Sequence, residues 1–317
     1  MKFRILLTGK NGQVGYELAA LLPRLGEVVA FDHQRLDLRK AEQIRRTIRD
    51  TRPNVIVNAA AYTSVDLAEK QEADARTINV DAPALMAEEA RRIDATLVHY
   101  STDYVFDGLK NSPYDENDTP NPLNVYGKTK LAGEQAIRDI GVPYLIFRTS
   151  WVYATRGKNF LLRILRLATE REELRIVCDQ VGAPTWSRDI AKATTDVLFQ
   201  LSERGGDAFL RYSGIYNVTA AGETSWFEFA GCILEEAANM PQDVSWFAAA
   251  TGGHQLITRR IAPIRTEEYP TPARRPAYSV LSNLRLKQDF GLELPAWRTQ
   301  LRLAFAESQF KRHSIDS

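Results

Sequence analysis

Short, almost unbroken apolar runs alternate along the first half of the chain with longer stretches whose apolar residues return every three or four positions. FRILLTG (3–9) and EVVAFD (27–32) have the first pattern and read as strands buried on both faces. Between them Val14, Leu18, Leu21 and Leu22 fall at helical spacing. A second helix is expected over 40–50, followed by a strand at NVIVN (54–58) with Pro53 as its boundary. Ile78, Ala82, Leu85, Met86 and Ala90 mark one helical stripe over 74–93, with Pro83 inside it. TLVHYST (96–102) is a fourth strand, a polar loop leads to a helix beginning near Val125, and VPYLIFRTS (142–150) is a fifth strand. This alternation predicts an α/β chain built on a Rossmann-type doubly wound parallel sheet.

Beyond Trp151 the rhythm loosens. Helical patterns lie at 160–169, 189–201, 225–238 and 295–305, the last opening on Pro295, a residue suited to a first helical position. Pro263, Pro270, Pro272 and Pro276 make 262–276 a long surface or ligand-facing loop, since they prevent one regular element there. The expected division is a dinucleotide-binding Rossmann half over 1–150, to which later segments can return, and a smaller mixed α/β substrate half over 151–317. Ligand is expected in the crevice between them.

Composition narrows the function classes. With 317 residues, 44% hydrophobic and 26% charged, the chain supports a sizeable core and is not a disordered protein. The 41 basic and 40 acidic side chains nearly cancel and form no run of five like charges, which speaks against a nucleic-acid or membrane-surface binder. No apolar stretch approaches the ~18 residues of a membrane span, so neither an anchor nor a signal peptide is expected. Cys178 and Cys232 lie far apart, and His33, His99, His254 and His313 stand singly. A reduced, cytoplasmic protein without a metal site follows as the expectation.

Directly after the first strand, GKNGQVG places Gly9, Gly12 and Gly15 three residues apart at the opening of a helix. Small residues there let the backbone approach a pyrophosphate, and the helix N-terminus supplies N–H donors, although the spacing departs from G-x-G-x-x-G. Asp32, at the end of the next strand, is placed to hydrogen-bond an adenosine ribose. Its charge repels a 2′-phosphate and leans the cofactor slightly toward NAD, while His33 and Arg35 offset part of that repulsion. Tyr126 and Lys130, four apart at the start of a helix, share one face, and a neighbouring cation is what a phenol needs to work as an acid or base near neutrality. With 12 tyrosines and 11 lysines, chance alone supplies roughly 0.4 such pairs, so the neighbours decide. They are Ser101, Thr102 and Asp103 at the carboxyl edge of the fourth strand, and NAAA (58–61), whose small side chains admit a flat cofactor.

TGKNGQVG, NAAA, STDY and YGKTK together resemble the extended short-chain dehydrogenase/reductase family. The longer segments NVIVNAAAYTSVDLAE, VHYSTDYVFDG, PLNVYGKTKLAGE, FRTSWVYA, DQVGAPT and YPTPARRP are similar, in the same order, to its nucleotide-ketosugar reductases. That resemblance implies NADPH- or NADH-dependent reduction of the 4-keto group of dTDP-4-dehydro-L-rhamnose to dTDP-L-rhamnose, a precursor of bacterial surface polysaccharide. It implies Tyr126 as proton donor, Lys130 as the group that lowers its pKa and binds the nicotinamide ribose, and Thr102 as the hydroxyl that polarises the carbonyl. The implied cofactor residues are Gly9, Asn11, Gly12, Gln13, Val14, Gly15, Asp32, Asp37, Leu38, Ala60, Ala61, Tyr62, Tyr100, Tyr126 and Lys130. Thr102, Asp103, Trp151 and Arg274 would meet the dTDP-sugar, although Arg274 and its neighbour Arg275 are not separable as the diphosphate ligand. Trp226 is assigned to the core of the second half.

Tyr104 follows Asp103 where related 4,6-dehydratases carry an acid, which favours simple ketone reduction. Two alternatives stand beside this reading: a regulatory subunit resembling the methionine adenosyltransferase β subunit, and an epimerase or dehydratase acting on another nucleotide sugar. A homodimer is the oligomer left open.

Overall fold

The computed structural model describes residues 3–310; His313 lies outside the described residues. Six parallel strands form the central sheet: β1 (Phe3–Thr8), β2 (Gly26–Phe31), β3 (Val55–Asn58), β4 (Thr96–Thr102), β5 (Tyr144–Thr149) and β6 (Gly214–Asn217), in the order β6-β5-β4-β3-β1-β2. The strand order reverses between β1 and β3, and the carboxyl ends there open a crevice of the kind in which doubly wound sheets bind ligands.

Both faces of the sheet are covered, which is why its strands are apolar throughout. Ile5 and Leu7 of β1 pack with α1 (Gln13–Leu21) on one face, while Leu6 packs with α2 (Ala41–Thr51), α3 (Ala82–Arg92) and α4 (Val125–Ile140) on the other. The chain beyond 151 returns to the sheet three times: as the helix Ser187–Arg204, as β6 and as the helix Leu284–Phe290. A separate core of Leu161, Ile164, Phe229, Ile233, Phe247 and Leu301 holds the second half together.

Three local expectations are corrected. The stripe over 74–93 is not one α-helix, because a π-helical turn, Thr77–Asp81, separates Glu72–Arg76 from α3. Pro83 cannot donate to the carbonyl of Asn79, and Ala82 N–H reaches back to Thr77 O instead. The supposed loop 262–276 begins inside a strand, Arg260–Ile264, which includes Pro263 and pairs in parallel with Glu173–Val177. That ribbon has only two strands, so the missing N–H of Pro263 can face away from the partner. Pro295 precedes its helix, which starts at Trp297.

Gly133 lets α4 lie against the π turn, since a Cβ at that position would stand 2.1 Å from Asn79 O. Asn79 in turn bonds the backbone of Tyr62 at 2.9 and 3.1 Å and Thr129 Oγ1 at 3.1 Å. Gly133→Ala is therefore expected to destabilise the protein by about 1–3 kcal/mol, read as a lowered urea midpoint. A midpoint equal to wild type would refute this account of the contact.

Candidate active site

The crevice is a cleft of about 880 Å³ that runs from the glycine turn to Trp151. Gly9, with φ +71°, passes so near β3 that a Cβ would lie 2.8 Å from the backbone of Ala59 and Ala60. Gly12 caps α1 without a side-chain acceptor, so the first N–H groups of the helix are left for a ligand in the cleft. Asn11, Gln13, Val14, Ala60 and Ala61 line the same wall. Gly15 does not; a Cβ there would come within 2.1 Å of Gly9 O, so its role is to let the turn close on the helix. Tyr62 also stays off the wall, with its backbone on Asn79 and its hydroxyl donating to Gln71 Oε1 at 2.6 Å.

At the far end of this wall Asp32 accepts from Arg35 N at 3.1 Å and from Asn11 Nδ2 at 3.4 Å, with Lys10 Nζ 3.5 Å away. The Arg35 amide is the main reason its carboxyl lies below the usual range, ahead of the opposing effect of burial and the attraction of Lys10. Asp37 and Leu38 share this end of the cleft, Asp37 being held by Arg39 in two contacts of 2.9 Å. Lys10, which the sequence reading passed over, thus stands beside the acid that would read the ribose.

The middle of the cleft gathers Tyr100, Thr102, Asp103, Tyr126 and Lys130. Asn124 caps α4 by accepting from Gly127 N at 2.8 Å, and Gly127 brings the helix against Tyr104 O, where a Cβ would be 2.2 Å away. That contact sets Tyr126 beside the end of β4. Thr102 Oγ1 donates to Asp103 Oδ1 at 3.0 Å and lowers the pKa of the neighbouring Tyr126 phenol. Burial pushes that phenol up to about 12, against the downward pull of Thr102, so it is a proton-carrying acid at neutral pH. Burial brings Lys130 down to about 8, opposed by Glu134 one turn further along α4. Its Nζ donates to Tyr100 O at 2.5 Å and lies 3.0 Å from His99 Nε2. His99, which the sequence reading left as a single histidine, is fully enclosed and does not line the cleft.

Trp151 closes the cleft with its backbone at φ +45°, and Gly182 makes room for its ring. The ring stacks on Trp226, centroids 3.4 Å apart and planes 4° from parallel. Trp226 therefore packs on the second core and also lines the cleft, which corrects its assignment to core alone. Tyr104 and Trp226 belong as well to a second cavity of about 570 Å³, whose walls carry Phe160, Arg163, Arg171, Arg175, Tyr269 and Arg275. Arg274 is exposed and lines neither cavity; its carbonyl accepts from Asn124 Nδ2 at 2.7 Å. Arg275 reaches the second cavity and is held by Asp66 at 2.9 Å. Gly157, Lys158 and Asn159 also join the cleft wall, and no sequence motif had pointed to them. Among the described residues no group of three or more His, Cys, Asp or Glu side chains is arranged to hold a metal, and no helix is long and apolar enough to cross a membrane.

The family profile described as the RmlD substrate binding domain matches residues 2–310. A dTDP-4-dehydrorhamnose reductase of Burkholderia thailandensis is 51% identical over 93% of this chain and 95% of its own length. The enzyme of the same name from Escherichia coli K12 is 41% identical, covering 94% of this chain and 95% of that protein. Among solved structures, the dTDP-4-dehydrorhamnose reductase of Bacillus anthracis in complex with NADP has a TM-score of 0.84 and 35% identity, covering 97% of this chain and all of that one. On the strength of a match that spans the glycine turn, the Thr102–Tyr126–Lys130 group and the second half alike, the chain belongs to the RmlD substrate binding domain family, within which its relatives are dTDP-4-dehydrorhamnose reductases.

Proposed function

We propose that the chain reduces the C4 ketone of dTDP-4-dehydro-L-rhamnose to the alcohol of dTDP-L-rhamnose, using NADPH or NADH. The observation that carries this reading is the meeting of Thr102, Tyr126 and Lys130 in the cleft at the point where it adjoins the arginine-lined cavity. A dinucleotide fits the first cleft on this chain's own geometry: a glycine turn with no Cβ in the way, open N–H groups of α1 and an acid at the ribose end. The arginine-rich second cavity, with Phe160 and Tyr269 for a base and Arg275 braced by Asp66, suits a nucleoside diphosphate.

Hydride for the carbonyl carbon comes from reduced nicotinamide when it is bound. Thr102 and Tyr126 together bond the carbonyl oxygen, and Tyr126 passes its proton to that oxygen as the alcohol forms. The phenolate left behind is stabilised by the Lys130 cation and regains its proton from solvent. Asp103 and Trp151 hold the sugar, the carboxyl by hydrogen bonding and the indole as an apolar wall. In this reading residues 1–150 and the segments that return to the sheet serve the dinucleotide, and the remainder serves the dTDP-sugar. The enzyme works in the cytoplasm without nucleic-acid or membrane partners, with a homodimer as the candidate oligomer. The relatives are reductases, so the regulatory-subunit and epimerase or dehydratase alternatives are not favoured.

The direct test follows NADPH and NADH oxidation with dTDP-4-dehydro-L-rhamnose generated in situ. Tyr126→Phe should lose roughly 10²–10⁴-fold in turnover while dinucleotide binding stays near wild type. Substantial residual turnover would remove Tyr126 as the proton donor, and a silent wild type would end the reading itself. Asp32→Ala, which removes one repulsive charge and frees Lys10, should raise the NADPH/NADH ratio of kcat/KM about fivefold. An unchanged ratio would show that Asp32 does not read the ribose.

Asp103 supplies a pH signature. Burial pushes its carboxyl up to about 7, so the folded protein holds this proton more tightly than the unfolded chain does. The resulting stabilisation is complete below the ordinary carboxylate range and is lost as pH rises from about 4 through about 7. Asp103→Asn should therefore gain stability over wild type across that window, on the order of a few kcal/mol by pH 8. Melting temperatures at pH 5 and 8 check this; a gap that stays constant would show that the buried carboxyl does not titrate there.

A further inference from the structure

The paired positions of three neighbouring strands change character at one row of the sheet. Leu6 faces Ile56, which faces Leu97, and one residue on Leu7, Val57 and Val98 do the same, so both rows are aliphatic. The next row is Thr8, Asn58 and His99, in the same register. Side chains at paired positions share a face of the sheet, and here they are joined in sequence. Thr8 Oγ1 donates to Asn58 Oδ1 at 2.7 Å, and Asn58 Nδ2 meets His99 Nδ1 at 3.1 Å. His99 Nε2 then lies 3.0 Å from Lys130 Nζ. All four residues are 1% exposed.

A polar row in a sheet buried on both faces is costly unless its members find partners. Here Asn58 Nδ2 donates to His99 Nδ1, so the neutral ring carries its hydrogen on Nε2 and directs it at Nζ, which accepts as the amine, while Tyr100 O accepts from Nζ. The row starts at the residue before Gly9, in the turn that would hold the dinucleotide, and ends on the lysine. Lys130 carries its Nζ on a flexible four-carbon stem. The carbonyl of Tyr100 and the ring of His99 fix two directions around Nζ, and the residue itself lines the cleft. Burial keeps His99 far below the usual histidine range, so the ring is neutral and adds no positive charge beside the lysine.

We propose that Thr8, Asn58 and His99 form a positioning row that holds the Lys130 side chain in its working place, with His99 as the residue that acts on it. None of the three is a catalytic residue in this assignment; they act through Lys130, much as outer-shell partners orient a metal ligand. The proposal rests on the reductase reading above, in which Lys130 supports Tyr126 and the nicotinamide ribose.

The test is a double-mutant cycle on the full-length protein, with wild type assayed alongside for NADPH oxidation against the keto-sugar. His99→Leu should lower kcat by about tenfold or more with little change in the KM of the sugar, and His99→Gln, whose amide can still meet Nζ, should recover to within about threefold of wild type. Thr8→Val, which keeps the shape of the side chain, should lower kcat by roughly threefold in the wild-type background and leave His99→Leu unchanged, because the row is already cut. Should His99→Leu fail to fold, the same comparison is made with Thr8→Val in the His99→Gln background, where the threefold loss should reappear. Wild-type kcat in His99→Leu, or Thr8→Val losses that multiply with those of His99→Leu, would overturn the positioning row. A wild type that binds dinucleotide but turns over no sugar would instead overturn the reading beneath it.

Discussion

At the head of the sheet the backbone of Gly9 crosses that of Ala59 and Ala60 with no room for a Cβ, and the placement of the cleft follows from that contact. The turn is pinned over the point where strand order reverses, which aims the first N–H groups of α1 across the ends of β1 and β3. The opposite wall is set by the same means. Gly127 and Gly133 let α4 press on Tyr104 O and Asn79 O, so the helix that carries Tyr126 and Lys130 cannot shift along its axis without a clash. Groups that must act together are thus mounted on elements fixed by backbone contact, which holds a geometry better than long side chains meeting in solvent.

Depth in the cleft has a price in electrostatics, and the chain meets it with opposed effects. Burial raises Tyr126 and lowers Lys130, moving both toward their neutral forms. Glu134 pulls Lys130 back toward its charged form, yet Glu134 is itself bound in two contacts of 3.0 and 2.7 Å by Arg148, another buried charge. The arginine reduces what the glutamate can do for the lysine. Burial and Glu134 thus act on the lysine in opposite directions, with burial the larger.

Much of this was legible in the sequence, for physical reasons that also explain the remainder. β1 to β5 announced themselves because a strand buried on both faces leaves a run of aliphatic residues. β6 has only the four residues GIYN and no such run, so it was invisible until the sheet supplied its neighbour. The turn glycines and the Tyr126–Lys130 pair were legible because their spacing is short and local, and Thr102 because it ends a strand that was itself legible. His99 and Lys10 were not, because their partners lie 31 and 22 positions away in sequence and no periodicity links them. Pro83 was noticed as lying within a helical stripe, but that its missing N–H is met by a π turn on which Gly133 seats α4 is visible only in the fold. Between Arg274 and Arg275 the residues alone offer no distinction; in the fold Arg275 lines the second cavity, held by Asp66, and Arg274 does not.

Trp151 shows how the two halves depend on one another. It lies two residues beyond the end of β5, and a positive φ in a bulky residue is strained, by about 1 kcal/mol or more. That conformation turns the chain out of the sheet and presents the indole to the cleft, where Trp226 of the second core stacks on it. Gly182 supplies the space, since any Cβ there would strike the ring at 2.4 Å. The contact that completes the cleft wall is thus also a contact between β5's end and the second core.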